Sequence, residues 1–321
     1  MQPSIYISNI ILSNFRSHEK FTINSNSKNI VLFGKNGVGK TNILESISLL
    51  SPGRGLRNAK NEEIINKNTN TDYGLSANLQ FDNNSIKIKK TYLRDETKKS
   101  NLFIDDEKSK TADLLNYLRV IWVTPVMEKI MLQSNSERRN FFDRLIFNIE
   151  KKHLKAFTAY NKFTKERLHI LKSNAPDSAW LEQIEKKIAV CAYEIIEYRQ
   201  AAISKINTNL SLISLPFNSC IIELNYEDTL KITSDMGEFT FDYENTLFKN
   251  RTIDKETNRT LVGPNKVEVK MWKLDDRSIE AKYCSTGEQK SILISIILSV
   301  AQIIKNSDFA KPPIILIDEA M

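Results

Sequence analysis

The stretch GKNGVGKTN, residues 34 to 42, fits G-x-x-x-x-G-K-[ST]. Such a loop does phosphate chemistry, because glycine-permitted turns aim successive backbone N–H groups at phosphate oxygens. Here Gly34, Lys35, Asn36, Gly37, Val38 and Gly39 would form the cradle for ATP. Lys40 would reach the β- and γ-phosphates, and the Thr41 hydroxyl would ligate Mg2+. Near the other end lies IILIDE, residues 314 to 319, four apolar residues followed by two acids. A buried parallel strand there delivers Asp318 to the magnesium shell beside Thr41 and sets Glu319 to polarise the attacking water. The plainer reading is a strand that ends in solvent-facing acids. A third stretch, STGEQK at 285 to 290, opens an apolar helical segment. Ser285 and Gly287 at such a turn present free N–H groups and a positive dipole end to an anion, although Ser285 or Thr286 also serves as an ordinary N-cap.

The elements that must position these residues are legible in outline. Ile5, Ile7, Ile10, Leu12 and Phe15 suggest a first strand or hairpin, and Asn29 to Phe33 read as a short buried strand running into Gly34. Ile43, Leu44, Ile47 and Leu50 then recur at helical spacing, so the expected order is strand, phosphate loop, helix. LSANLQF and SIKIKKTYL, parted by Asp-Asn-Asn, predict a hairpin, and RVIWVTP predicts a buried strand. From Ser136, a candidate N-cap, a helical pattern runs to Lys172. After the interruption at Ser173 to Asp177, Leu181, Ile184, Ile188, Cys191, Ile195, Tyr198 and Ala202 form a heptad-like seam. Two such helices fold back antiparallel, either as a projecting arm or as a packed helical subdomain. Beyond Leu212 short alternating segments return, including CIIELNY and KVEVKMWKL.

Composition narrows the class. The chain has 321 residues, 41% hydrophobic and 26% charged, which excludes a disordered protein. A net charge of +7 suits a polyanionic partner as well as a generic solubilising surface. Cys191, Cys220 and Cys284 are too dispersed for a zinc site and read as reduced thiols of a cytoplasmic protein. The N-terminus lacks the features of a secretory signal, and the apolar run Ser291 to Ile304 is shorter than a bilayer requires, so no membrane partner is expected.

STGEQK resembles the signature motif of ABC-type ATPases, whose serine and glycine face the γ-phosphate held by a second subunit. Within that superfamily the chain is similar to the RecF family through LSNFRSHEKF (12–21), GKNGVGKTNILESISLLSPGRGLR (34–57), SERRNFFDRLI (136–146), TLVGP (260–264) and YCSTGEQKSIL (283–293). The resemblance implies an α/β fold, an ABC-type P-loop ATPase head with an antiparallel helix-hairpin subdomain. It divides the chain into an N-terminal ATPase lobe (1–133), a helical subdomain (134–212) and a C-terminal lobe (213–321) bearing the signature and the acidic strand. It implies a DNA-dependent ATPase using ATP and Mg2+ that forms an ATP-dependent homodimer. It further implies binding to single-stranded DNA and gapped duplex, with RecO and RecR as partners. Lys40, Thr41, Asp318 and Glu319 would act from one subunit, Ser285 and Gly287 from the other, and Asn14 to His18 would lie near the nucleotide. Two departures stand out. Asn265, Lys266 and Val267 follow TLVGP where the family usually has His-Arg and an acid, and the sequence stops after Ala320 and Met321, before the expected D-loop and switch histidine. The chain is therefore read as a fragment with weak hydrolysis. A DNA clamp with vestigial hydrolysis, another SMC- or Rad50-like ATPase, and a transporter ATPase subunit are the competing classes. By charge alone Arg54, Arg57, Arg138 and Arg139 are candidate DNA contacts.

Overall fold

Ile5, Ile7, Ile10, Leu12 and Phe15 all lie buried along β1 (Ile5–Phe15). A strict two-residue alternation cannot achieve this, because the run contains two three-residue steps. The first is absorbed where the pairing register slips between Ile7 and Asn9, a bulge that turns the strand by one residue. The second is absorbed by Asn14, whose φ of 51° is left-handed. The structure is a computed structural model and describes residues 5–26, 29–69, 71–81, 84–94, 99–213, 217–226, 230–309 and 311–319. The chain divides into two compact units, Met1–Met127 with Ala301–Met321, and Glu128–Val300.

In the first unit β1 is followed by β2 (His18–Asn24), α1 (Lys40–Ser48), the short α2 (Asn61–Ile64), β3 (Tyr73–Phe81), β4 (Asn84–Leu93), β5 (Lys99–Ile104), β6 (Glu107–Ser109) and β7 (Val120–Val123). The first six strands form one antiparallel sheet in the order β2-β1-β3-β4-β5-β6. The predicted hairpin is the β3–β4 pair, although its turn residues Asp82 and Asn83 lie outside the described residues. All four residues of β7 are buried, as its apolar run predicts. The strand expected over 29–33 is not formed. That segment is irregular and exposes Val31 and Phe33. An apolar run reports a preference for burial but supplies no partner for backbone N–H and C=O groups, and no described strand pairs with this one.

The second unit is mostly helical. α3 (Asn135–Ile149) starts two residues before the sequence pattern places it, because Ser134 rather than Ser136 is the cap. Ser134 Oγ accepts from the Glu137 N–H at 3.3 Å, and the Glu137 carboxylate accepts from the Ser134 N–H at 3.0 Å. The helix expected to continue to Lys172 breaks at Glu150, whose extended backbone lets its carboxylate cap α4 (Lys151–Leu171) through the Lys152 N–H at 2.9 Å. Asp177 caps α5 (Ser178–Leu210). The chain then forms β8 (Cys220–Asn225), α6 (Met236–Lys249), α7 (Arg251–Thr257) and β9 (Glu268–Lys273), with β8 and β9 antiparallel. Seam residues Leu181, Ile184, Ile188 and Ile195 share one apolar cluster with Tyr160 of α4 and Phe239, Tyr243 and Leu247 of α6. The last three sit at i, i+4 and i+8, a helical signal hidden in a stretch read as short alternating segments.

Inside this unit Arg167 is fully buried, bonded to Glu185 at 2.8 Å, Asp254 at 2.7 Å and the Leu247 carbonyl at 2.6 Å. Arg199 grips both oxygens of Asp143 at 2.8 and 2.7 Å, and His153 Nε2 donates to the same carboxylate at 3.0 Å. α8 (Thr286–Lys305), which begins in the second unit and ends in the first, buries Ile292, Leu293, Ile296, Val300 and Ile304. It is long and apolar enough to cross a membrane by composition, but more than half of that window is buried in the protein. Back in the first unit, β10 (Ile314–Ile317) pairs parallel to β7, Leu316 opposite Trp122. The expected parallel pairing forms, but the expected burial does not: only Leu316 is enclosed, while Ile315 and Ile317 are exposed. Ile315 and Ile317, two residues apart, share the one face of the strand that stays open to solvent.

Candidate nucleotide site

The phosphate loop folds as a chain of glycine turns. Gly34, Gly37 and Gly39 have φ values of 152°, 85° and 99°, so these three positions need residues free of the Cβ clash. Gly39 also forms the N-cap of α1, which turns the helix N–H groups and the positive end of its dipole towards the loop. A Cβ at Gly39 would come within 2.5 Å of His18 Nε2, so the loop is moulded on the β1–β2 turn. Lys40 Nζ donates back to the Gly34 and Lys35 carbonyls at 2.7 and 3.0 Å, which holds the ammonium inside the loop where phosphate oxygens would replace those carbonyls.

Asn14 to His18 form the turn beside this loop. Asn42 Nδ2 donates to Ser17 Oγ at 2.8 Å, and the Arg16 guanidinium forms a two-pronged bond with Glu45 of α1 at 2.8 and 2.6 Å. Glu45 is fully buried and also receives Arg57 Nη1 at 3.1 Å. Two guanidiniums on one carboxylate compensate its desolvation and fix α1 against the strand turn. Sequence reasoning did not single out Glu45: two residues from both Ile43 and Ile47, it lies on the other side of α1 from them, and no local pattern marks its burial.

Thr41 and Asp318 come together. The Thr41 hydroxyl donates to Asp318 Oδ1 at 2.9 Å, and the Asp318 N–H extends the β7–β10 ladder to the Val123 carbonyl at 3.0 Å. A hydroxyl and a carboxylate in contact are the hard oxygen donors that magnesium prefers. Among the described residues no group of three or more His, Cys, Asp or Glu could hold a metal, so phosphate and water would complete the shell. Glu319 follows, exposed, with a left-handed φ of 56°.

Ser285, Thr286 and Gly287 belong to the second unit and are exposed at the start of α8. Ser285 is the helix cap, its Oγ accepting from the Glu288 N–H at 3.3 Å while Glu288 accepts from the Ser285 N–H at 2.9 Å. These bonds, with Lys273 at 3.2 Å, hold the Glu288 carboxyl below the usual range. Gly287 has open space around it. Three of the four arginines singled out by charge serve the protein itself: Arg57 bonds Asn42 and Glu45, Arg138 the Val269 and Gln133 carbonyls, and Arg139 the Val267 carbonyl. Asn265 Oδ1 lies 3.5 Å from the Tyr160 hydroxyl.

A glycine loop opening a helix, with the helix threonine bonded to the aspartate that ends a parallel strand, defines the head of an ABC-type P-loop ATPase. The family model described as RecF/RecN/SMC N terminal domain matches residues 6–321. The chain belongs to the RecF family. It is 30% identical to the DNA replication and repair protein RecF of Rhizobium rhizogenes, covering 99% of this chain and 86% of that protein. To the RecF of Rickettsia prowazekii it is 33% identical, covering 98% and 87%. Two solved structures of the recombination mediator protein RecF of the RecFOR pathway share the fold. RecF-ATP superposes with a TM-score of 0.87 at 24% identity, over 99% of this chain and 86% of that one. RecF-ATPrS superposes with a TM-score of 0.85 at 23% identity, over 100% and 86%.

Proposed function

We propose that this protein is an ATP-operated DNA repair factor of the cytoplasm, whose nucleotide state controls its grip on DNA. The observation that carries the reading is the Thr41–Asp318 contact beneath a glycine loop already holding Lys40, in a chain of the RecF family. Gly34 to Thr41 bind the triphosphate through backbone N–H groups, and Lys40 exchanges its carbonyl partners for phosphate oxygens. Thr41 and Asp318 hold Mg2+, which when bound offsets charge on the β- and γ-phosphates. Glu319 accepts a proton from the attacking water. Ser285 and Gly287 meet the γ-phosphate bound to a second copy, so the homodimer assembles on ATP and opens when the phosphate bridge is cut. Single-stranded and gapped duplex DNA are the proposed substrates, and RecO and RecR the proposed partners.

Glu319→Gln tests this reading. The substitution is expected to leave ATP binding intact and to accumulate an ATP-bound dimer by light scattering, with turnover reduced at least roughly a hundredfold. Turnover at the wild-type rate would remove Glu319 from the mechanism. A second reading, a DNA clamp with vestigial hydrolysis, is favoured by the exposed, left-handed Glu319. DNA-stimulated ATP turnover separates the two, being present for the first and absent for the second.

A further inference from the structure

Lys90 occupies the wrong face of its strand. Along β4 the residues two before and two after it, Ile88 and Tyr92, are buried, and Lys87 and Lys89 already supply the solvent face. Lys90 itself is 8% exposed, yet its ammonium makes one long hydrogen bond, to the Leu49 carbonyl at 3.4 Å. No carboxylate among the described residues pairs with it, and burial alone draws its pKa down to about 8. A buried ammonium with two of its three donors unused among the described residues costs free energy that an incoming anion would offset.

The side chain lines a cavity of about 660 Å³ in the first unit. Arg54, Lys60 and Lys110 stand exposed around it, against a single acid, Glu62, whose carboxylate already accepts from the Tyr92 hydroxyl at 2.9 Å. Ser109 adds a hydroxyl, and Gly53, at φ 109°, leaves the loop after α1 open, with nothing within 4 Å of where a Cβ would stand. Leu49 caps the C-terminal end of α1, the helix whose first residue is Lys40, so one rigid element connects this cavity to the phosphate loop.

We propose that this cavity is a second anion site, taking a backbone phosphate of DNA, with Lys90 as its buried partner and Arg54, Lys60 and Lys110 tracking the neighbouring phosphates. The proposal rests on the DNA-binding reading above. Four cations to one carboxylate exceed the need of a single small anion but suit a run of phosphodiesters carrying one charge each. Since phosphate contacts position without reading bases, binding here is indifferent to sequence.

The test is fluorescence anisotropy of a labelled gapped duplex across a salt series, with a saturating non-hydrolysable ATP analogue and Mg2+, for wild type, Lys90→Met and the exposed double variant Arg54→Ala/Lys110→Ala. Lys90→Met is expected to weaken binding about tenfold and lower the slope of log K against log salt by about 1, and the double variant to lower it by about 2. ATP affinity should be unchanged in both. Because Lys90→Met removes a buried charge, its thermal midpoint should equal or exceed wild type; if it fails to fold, the double variant alone decides. Wild-type affinity and slope in the folded variants would overturn the site while leaving DNA binding standing. A wild type that shows no affinity for DNA at low salt would overturn both.

Discussion

The Thr41 hydroxyl and the Asp318 carboxylate, 277 residues apart in the chain, are hydrogen-bonded at 2.9 Å. The bond ties the first turn of the loop helix to the end of a strand whose neighbour, β7, is fully buried. Both oxygens are thereby held in one orientation, which would lower the ordering cost of binding a cation there.

Asp318→Asn should uncouple nucleotide affinity from magnesium. The amide keeps a hydrogen-bond partner for Thr41 but loses the anionic ligand. In titrations with a fluorescent ATP analogue, the wild type is expected to bind about ten- to a hundredfold more tightly with Mg2+ than with chelator, and the variant to show little difference. An unchanged magnesium effect would move the metal elsewhere.

Lys40→Ala should abolish ATP binding without unfolding the loop. Among the described residues the ammonium bonds only the Gly34 and Lys35 carbonyls of the loop, so its removal costs the fold little, while a charge-assisted phosphate contact is worth about 2–3 kcal/mol. The expected outcome is a loss of at least roughly a hundredfold in affinity by calorimetry with an unaltered thermal midpoint in the absence of nucleotide.

Arg167→Ala should be among the most damaging substitutions in the second unit. It leaves Asp254, a fully buried carboxylate, with the Leu261 N–H at 3.0 Å but no arginine, and takes one of two arginines from Glu185, which keeps Arg251 at 2.6 Å. Breaking a buried ion network costs about 3–5 kcal/mol, to be read as a lower urea midpoint. Arg167→Met combined with Asp254→Asn and Glu185→Gln should recover a substantial part of that loss.

Stability should fall as the solution is acidified below about pH 6.5. Burial pushes the His153 imidazole below its ordinary value, although the Asp143 hydrogen bond opposes the shift, so the folded protein takes up a proton here less readily than the unfolded chain. This contribution to stability is full above the unfolded pKa and declines beneath it. Asp143 acts further down: burial raises its pKa, but Arg199 and the His153 bond outweigh that and hold it at about 2, so its contribution drains between about pH 4 and pH 2. Thermal midpoints from pH 8 to pH 5 should slope downward for wild type and flatten for His153→Gln.

Much of this was legible in the chain because local chemistry carried it. The phosphate loop needs glycines at fixed intervals, β7 is a plain apolar run, and Ser134-x-x-Glu137 writes a helix start into four letters, although Ser136 competes as the cap until the hydrogen bonds are seen. The two irregular steps in β1 were legible as apolar positions but not as a bulge and a left-handed asparagine. α6 escapes the sequence reading because Phe239, Phe241 and Tyr243 alternate with Thr240 and Asp242, a pattern that also suits a strand.

By itself the sequence singled out the candidates for a triphosphate site, namely the loop glycines, Lys40, Thr41, the acids at 318 and 319, and the Ser285 turn, since each is a matter of residue type and near-neighbour spacing. Tertiary structure alone decided that Thr41 meets Asp318, that Glu45 is gripped by Arg16 and Arg57, that residues 29–33 find no strand partner, and that Lys90 faces inward. The physical reason is that these outcomes depend on groups distant in the chain. Backbone pairing, ion pairing and desolvation are set by what the fold brings alongside, and no local pattern records that.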